Sequence, residues 1–241
     1  MPAAAPHHCR LVLLRHGESA GNAERTFAGW RDVPLTERGR QQAIAVGASL
    51  RRLLQRLDVV FTSRLQRAVD TATLAVAAAG FADLPTERRW RLNERHCGVL
   101  QGRGKDAVQA ELGRATLRAF RSWDEAPPAV PEGSSDDPRT DPHYADVRDP
   151  LPRSESLREL AARTAIVWRD DLAPRLRTGA NVLVVGHGLA LRALGHAVER
   201  STAPELPGWT LGNTALRAYD LGADLAVRCS AAIAGADDDS D

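Results

Sequence analysis

Apolar residues fall along this chain in two patterns, and their alternation sets out the fold. Leu11-Val12-Leu13-Leu14 is an uninterrupted apolar run, as are the cores of Asp58 to Thr62 and Asn181 to Val185. Each is too short for a helix and predicts a buried strand. Between these runs the apolar positions take helical spacing. Ala43, Val46, Gly47, Leu50, Leu53, Leu54 and Leu57 form one stripe behind Thr36, the expected N-cap. Further helices are expected from Leu65 to Ala79 with Gly80 as the stop, in pieces from Lys105 toward Trp123, from a Ser156 cap through Val167, and from Leu189 to Val198. Glu87 to Trp90 predicts a short third strand, and Thr214 to Tyr219 and Leu225 to Arg228 predict late strands near one edge. The expected fold is α/β, a mainly parallel sheet with helices on both faces.

The remaining stretches read as connections. Gly17 to Pro34 is a loop region, and Leu92 to Gly102, polar and punctuated by glycine, reads as a surface loop. Ala126 to Pro152 has no apolar period, and connections of that length are lids, insertions or disordered segments. One domain is expected over 10–229, with a disordered N-terminus over 1–9 and a small, acidic, disordered tail over 230–241.

Composition narrows the function classes. In 241 residues, 43% are hydrophobic, enough for a substantial core. With 32 basic and 31 acidic side chains there is no general surface for nucleic acid, although a local basic cleft can hide in a neutral total. No apolar run has membrane-spanning length, and residues 1–9 lack the apolar core of a signal peptide. Cys9, Cys97 and Cys229 are far apart and form no CxxC pair, so neither a disulfide framework nor a zinc site is expected; they fit a reducing compartment, the cytoplasm. His7-His8 reads as part of a frayed terminus rather than as a metal site. A homo-oligomer is compatible with these features and not required by them.

The candidate chemistry lies where the strands end. Leu14-Arg15-His16-Gly17 and Val185-Gly186-His187-Gly188 end two apolar runs alike, and parallel strands deliver both ends to the rim where open α/β sheets bind ligands. Arg67 sits one helical turn beyond the strand that ends at Thr62. Arg15, His16, Arg67 and His187 can therefore converge on one small anion, and two permanent cations suit a phosphoryl group in transfer. The cations also disfavour imidazolium and so keep His16 neutral and nucleophilic. Gly17 would let a bulky substrate approach the backbone, and Ser19 and Asn22 can add hydrogen bonds. Transfer to an alcohol or water also needs a proton donor and acceptor. Glu94 in Arg91-Leu92-Asn93-Glu94-Arg95-His96 is the candidate, because a carboxyl group beside a phosphate is pushed toward its protonated form. The competing reading makes Glu94 a surface residue paired with Arg91 or Arg95.

These residues resemble the histidine phosphatase superfamily, and within it the cofactor-dependent phosphoglycerate mutases. The likeness runs from about Arg10 to Arg228. It rests on Arg15-His16-Gly17-Glu18, on Phe27 to Leu35, on Thr62-Ser63-Arg64-Leu65-Gln66-Arg67-Ala68, and above all on Leu92-Asn93-Glu94-Arg95-His96 through Gly98-Val99-Leu100-Gln101-Gly102. The resemblance implies a phosphoglycerate-mutase-like fold with His16 as the phosphorylated nucleophile and Glu94 as proton donor and acceptor. Arg15, Asn22, Arg67 and His187 would hold the transferred group. Gly29, Lys105, Arg121 and Gly188 would line the rest of the substrate, a small phosphorylated three-carbon acid. It implies 2,3-bisphosphoglycerate as primer and no metal; with the charge balance and apolar run lengths above, no nucleic-acid or membrane partner is expected.

Four positions depart from that pattern. Cys97 stands where the mutases have a substrate-facing tyrosine, Ala28 replaces a threonine, Phe120 replaces the first of two arginines and leaves Arg121 alone, and Leu189 replaces an asparagine. All four fall on the non-reacting half of the substrate. Losing one bidentate arginine removes ~1.5–3 kcal/mol of charged hydrogen bonding. Three readings stay open: a phosphoglycerate mutase, a phosphatase of the same fold in which water takes the phosphoryl group, and a catalytically silent phospho-ligand-binding protein.

Overall fold

The structure, a computed structural model, describes residues 9–81 and 84–235. The His7-His8 reading and the end of the acidic tail, 236–241, lie outside the described residues. Six strands form one sheet in the order β3-β2-β4-β1-β5-β6: β1 (Cys9–Arg15), β2 (Val59–Thr62), β3 (Thr86–Arg88), β4 (Val182–Gly186), β5 (Leu216–Leu221) and β6 (Val227–Ile233). β1, β4, β2 and β3 pair in parallel, while β5 is antiparallel to β1 and β6 antiparallel to β5.

The apolar runs supply both cores because side chains alternate along a strand. Leu11 and Leu13 face one side with Phe61, Val182 and Val184. There they pack under α5 (Leu157–Val167), α6 (Ala173–Arg177) and α7 (Gly188–Val198), through Val167, Leu176, Leu191 and Leu194. Val12 and Leu14 face the other side with Val60, Leu183 and Val185, under α2 (Glu37–Leu53) and α3 (Gln66–Ala78). Leu11 through Leu14 are 0% exposed, and burying each such side chain contributes about 1.5–3 kcal/mol. Thr36 caps α2 through the Gly39 N–H. Ser156 caps α5 in a reciprocal box with Glu159.

Several boundaries differ from the sequence reading. Cys9 is buried and opens β1 rather than closing a disordered lead. β6 runs on to Ile233, which pairs with Leu216, so 230–233 belong to the sheet and not to a tail. Its exposed Arg228-Cys229-Ser230-Ala231-Ala232 carries no strand alternation, because an edge strand is held by its ladder alone. Trp90 leaves the third strand for a 3₁₀ turn, Trp90–Leu92. Leu225 lies in the turn before β6. Helix α4 (Lys105–Ala119) is broken at Gly113, where φ is 77°, a left-handed value that glycine adopts without a Cβ penalty.

The stretch 126–152 is an ordered brace rather than a lid. Short 3₁₀ turns at Pro138–Thr140 and Pro142–Tyr144 carry Tyr144 into the fold. Its ring lies 5.1 Å from that of Trp30, and its hydroxyl accepts a 2.7 Å hydrogen bond from Asn93.

Candidate active site

Strand register brings the two histidines together. Arg15 is opposite Gly186 across the β1–β4 ladder, so His16 and His187 follow at the same level of the rim. Their rings meet edge to face with centroids 5.0 Å apart. His16 Nδ1 is 2.7 Å from the Gly17 carbonyl. A carbonyl only accepts, so Nδ1 carries the proton and Nε2 keeps its lone pair. Burial holds the His16 pKa well below the ordinary imidazole value, with Arg67 and then Arg15 adding to the effect against the Gly17 hydrogen bond. The ring is therefore neutral at pH 7 and nucleophilic at Nε2.

Two buried arginines flank it. Arg67, 2% exposed, donates to the carbonyls of Arg31 and Gly29 at 2.9 Å each. Burial pushes its pKa down to about 10, which still leaves it a cation at neutral pH. Arg15 donates to the Leu211 carbonyl at 2.6 Å, and its buried Nε has no partner. His187 is fully buried, with Nε2 2.8 Å from Ser63 Oγ and Nδ1 unpartnered. Of the five buried side-chain polar atoms without a partner among the described residues, these two donors belong to the residues flanking His16, and a ligand there would supply the acceptor.

Glu94 closes the opposite side. Its Oε1 accepts the N–H groups of Arg95 at 2.8 Å and Ala190 at 3.2 Å, and its Oε2 that of Leu189 at 3.4 Å. The carboxylate thus sits over the first turn of α7, which His187 precedes, where the helix dipole favours negative charge. Neither expected partner takes it: Arg91 pairs with Asp149, and the Arg95 guanidinium donates to the Phe120 carbonyl.

The segment around Glu94 corrects the reading of Leu92 to Gly102 as a surface loop. Asn93 and His96 are 0% exposed and Arg95 is 4%. Buried polar groups are tolerated where they are bonded, and here all but the Arg95 Nε are. Arg163 donates to the carbonyls of Arg91, Asn93 and Glu94 at 2.7, 3.1 and 3.2 Å. Glu155 accepts the His96 N–H at 2.8 Å, and Trp30 Nε1 donates to the Glu94 carbonyl at 2.6 Å.

Gly17 is also corrected. A Cβ there would lie 2.3 Å from the Gly39 carbonyl oxygen, and a Cβ on Gly39 1.9 Å from that of Glu18. The two glycines let the backbone of Gly17 and Glu18 pack directly on α2 at Gly39. Asn22 caps the short helix α1 (Ala20–Ala23) reciprocally with Ser19, so its amide oxygen is engaged by the fold.

Arg15, His16, Asn22, Gly29, Arg67, Glu94, Lys105, Arg121 and Gly188 line one cavity of about 670 Å³. His187 stands behind His16 and is not itself in the lining. No residue of 127–152 contributes to the lining. The cavity also has an apolar wall of Trp123, Leu189 and Leu206, and Arg192 and Glu205 join the lining. Ala28 and Cys97 line the same space, whereas Phe120 packs with Cys97, Leu100 and Val108. A second basin of about 710 Å³ shares Arg15, Asn22, Lys105 and Arg121 and adds Arg114, Arg118 and Phe120. The combination of a neutral imidazole nucleophile, fixed cations and a facing carboxylate is competent for phosphoryl transfer through a covalent histidine intermediate. Among the described residues, no group of three or more His, Cys, Asp or Glu side chains is placed to hold a metal ion, and no helix is long and apolar enough to cross a membrane.

A sequence model of the histidine phosphatase superfamily (branch 1) matches residues 11–139 and 134–227. The chain belongs to that superfamily. It is 41% identical over 216 residues to a 2,3-bisphosphoglycerate-dependent phosphoglycerate mutase of Mycobacterium leprae, covering 89% of this chain and 87% of the relative. A protein of the same name from Thermobifida fusca is 40% identical over 220 residues, 90% of this chain and 89% of the relative. Among solved structures, a mycobacterial glucosyl-3-phosphoglycerate phosphatase superposes with a TM-score of 0.67 at 26% identity, covering 88% of this chain and 92% of the other. The phosphoglycerate mutase of Bacillus anthracis shares the fold with a TM-score of 0.65 at 24% identity, over 90% of both chains. The superfamily thus brings the chain both mutase-named and phosphatase-named likenesses. Sequence reasoning missed Ser63, Glu155, Arg163, Arg192 and Asn213, whose Nδ2 donates to the His16 carbonyl at 3.0 Å. Ser63 lay in a quoted motif and Arg192 follows His187 by five residues on α7; Glu155, Arg163 and Asn213 are polar residues far from the centre in sequence, with no local pattern.

Proposed function

We propose that the chain is a phosphoryl-transfer enzyme working through phosphorylated His16, and that its main reaction interconverts 2- and 3-phosphoglycerate. The observation that carries this reading is His16 Nε2, unprotonated and buried between Arg15 and Arg67, in a cavity closed by Glu94. A bond forms from Nε2 to phosphorus as the ester P–O bond breaks. Arg15, Arg67 and His187 stabilise the charge on the three equatorial oxygens. Glu94 gives a proton to the departing alkoxide and takes one from the incoming hydroxyl. When bound, 2,3-bisphosphoglycerate supplies the phosphoryl group that primes His16. The residues fit a ligand with two anionic ends: unpartnered Arg15 Nε and His187 Nδ1 at one end, Lys105 and Arg121 toward the other. Arg192 adds a further cation, its Nε and one terminal nitrogen tied to the Pro207 carbonyl at 3.1 and 2.8 Å.

A second reading, a phosphatase of the same chemistry, is favoured by that apolar wall. Leu189 and Trp123 supply its apolar surface, and Phe120, packed on Cys97 and Leu100, turns another apolar face to the second basin. Loss of polar partners there shortens retention of the acid intermediate, and water then takes the phosphoryl group. The deciding experiment incubates the protein with 3-phosphoglycerate and trace 2,3-bisphosphoglycerate, and follows 2-phosphoglycerate and free phosphate separately. The mutase reading expects 2-phosphoglycerate in excess of phosphate and an acid-labile phosphoprotein that His16→Ala lacks. Phosphate alone favours the phosphatase, and neither product with tight binding favours a silent phospho-ligand-binding protein.

A further inference from the structure

The buried hydrogen bonds around His187 determine which of its nitrogens holds the proton. Ser63 Oγ is 2.8 Å from His187 Nε2 and also accepts the Leu65 N–H at 3.2 Å, where the chain turns into α3. Ser63 and His187 are both 0% exposed, so bulk water does not compete for the bond between them. Serine has one hydroxyl proton, and a neutral imidazole has one N–H and one lone pair. If Nε2 carried the proton, it would donate to Oγ. The Ser63 hydroxyl proton would then have no acceptor, and Nδ1 would be a bare buried lone pair. If Ser63 donates to Nε2 instead, every group in the chain Leu65–Ser63–His187 is satisfied except one, the Nδ1–H. That orphan belongs to the ring whose centroid lies 5.0 Å from that of His16.

We propose that Ser63 is a positioning residue that fixes the His187 tautomer: its hydroxyl donates to Nε2, so Nδ1 carries the proton and serves as a neutral donor to the phosphoryl group in transfer. The donor role rests on the function proposed above, whereas the tautomer rests on hydrogen-bond geometry alone. A neutral donor is what this place requires. Arg67 and Arg15 already supply two positive charges, and a third on His187 would oppose them without improving the nucleophile. Burial, then Arg67, keeps His187 well below the ordinary imidazole pKa, in line with a ring that donates as the neutral species. Without Ser63 the ring loses its tautomer bias, and the fraction with Nδ1 deprotonated cannot donate.

The test is histidine ¹⁵N–¹H correlation spectroscopy on the full-length protein at pH 7.5, with His187 assigned by comparison with His187→Gln. The wild type should show Nδ1 protonated and Nε2 bare, and orthovanadate, a mimic of the five-coordinate phosphorus, should shift the Nδ1 proton. Ser63→Ala should mix the tautomers or invert them, and kcat for p-nitrophenyl phosphate should fall roughly 10-fold, with a smaller change in KM. Ser63→Thr, which keeps the hydroxyl, should restore both the spectrum and the rate. An Nε2-protonated His187 in the wild type overturns the proposal, and so does a Ser63→Ala protein with unchanged tautomer and unchanged kcat. Failure of the function reading looks different: Nδ1 would be protonated as expected, with no response to vanadate and no turnover. That result would leave tautomer control standing and remove the donor role.

Discussion

Arg163 and Glu155 form a buried two-point ion pair, with contacts of 2.6 and 2.7 Å and side-chain exposures of 6% and 3%. Neither residue lines the cavity, yet together they hold five backbone groups of the 91–96 segment: Arg163 takes the carbonyls of Arg91, Asn93 and Glu94, and Glu155 the His96 N–H, while the Glu155 N–H donates back to the His96 carbonyl at 3.0 Å. The position of Glu94 is thus set from below by a charge pair on α5 and its lead-in. Glu155→Gln keeps the shape but strands a buried guanidinium. Breaking a buried pair by one partner costs about 3–5 kcal/mol, so urea unfolding should show a loss of that size. Glu155→Leu combined with Arg163→Met should recover part of the stability but not the activity, because the Arg91 and Asn93 carbonyls then lose their Arg163 donor and the Glu94 carbonyl keeps only Trp30.

Glu94→Gln removes the transferable proton while preserving size. Turnover should fall by roughly 10²–10⁴-fold, the usual contribution of a positioned acid or base. Binding of phosphate esters, followed calorimetrically, should persist. Activity within a few-fold of wild type would move the acid to another residue.

Stability should decline with acid. His16 and His187 are held well below the ordinary imidazole pKa, and His96 is lowered too, in each case chiefly by burial. The folded rings stay neutral while the unfolded chain takes up a proton at each as pH falls through about 6.5. The folded state is therefore fully favoured above that pH and loses ground below it, by up to ~1.4 kcal/mol per pH unit for each histidine. Urea midpoints at pH 7.5, 6.5 and 5.5 should fall in the wild type and fall less steeply in His187→Gln. Parallel slopes would show that His187 titrates in the folded protein as it does in the unfolded chain.

Phe120→Arg with Cys97→Tyr should raise the ratio of mutase to phosphatase activity, since both substitutions return polar groups to the far half of the substrate. Uniform binding lost from a remote group raises KM, whereas an interaction made only in the transition state sets kcat. The expected gain is a lower KM for 3-phosphoglycerate and less free phosphate, with His16 phosphorylated at an unchanged rate. Cys97 and Phe120 pack in one cluster, so their effects should couple, and the double variant is read against both singles. A properly folded double variant with an unchanged ratio would place specificity on the Trp123, Leu189 and Arg192 wall.

The strands and helices that deliver the histidines were legible because Leu11–Leu14 and Val182–Val185 are apolar on both faces, and few other structures accept such a run. Their common rim followed from parallel pairing. Glu94, Arg15 and Arg67 were recognisable by chemistry and motif. What escaped was everything long-range and polar. The 92–102 segment looks like a surface loop in sequence because its polarity is local, while the Arg163 and Glu155 groups that permit its burial lie more than fifty residues away. The brace 126–152 has no periodicity because it is held by single contacts, such as Tyr144 on Trp30 and Asn93, rather than by a face. Gly17 was read for what it could admit, when its packing partner, Gly39, is twenty-two residues on.

That glycine pair divides the molecule into a part that tolerates sequence drift and a part that does not. With the chain at Gly17 and Gly39 in backbone-to-backbone contact, the nucleophile loop has no slack, and any side chain added at either position would displace His16 itself. Diversification among descendants of this protein is therefore channelled to the opposite bank, where Trp123, Leu189, Glu205 and Leu206 border open space. A combinatorial library at those four positions should yield many folded, phosphorylatable proteins with altered substrate range, while one at 17 and 39 should yield almost none.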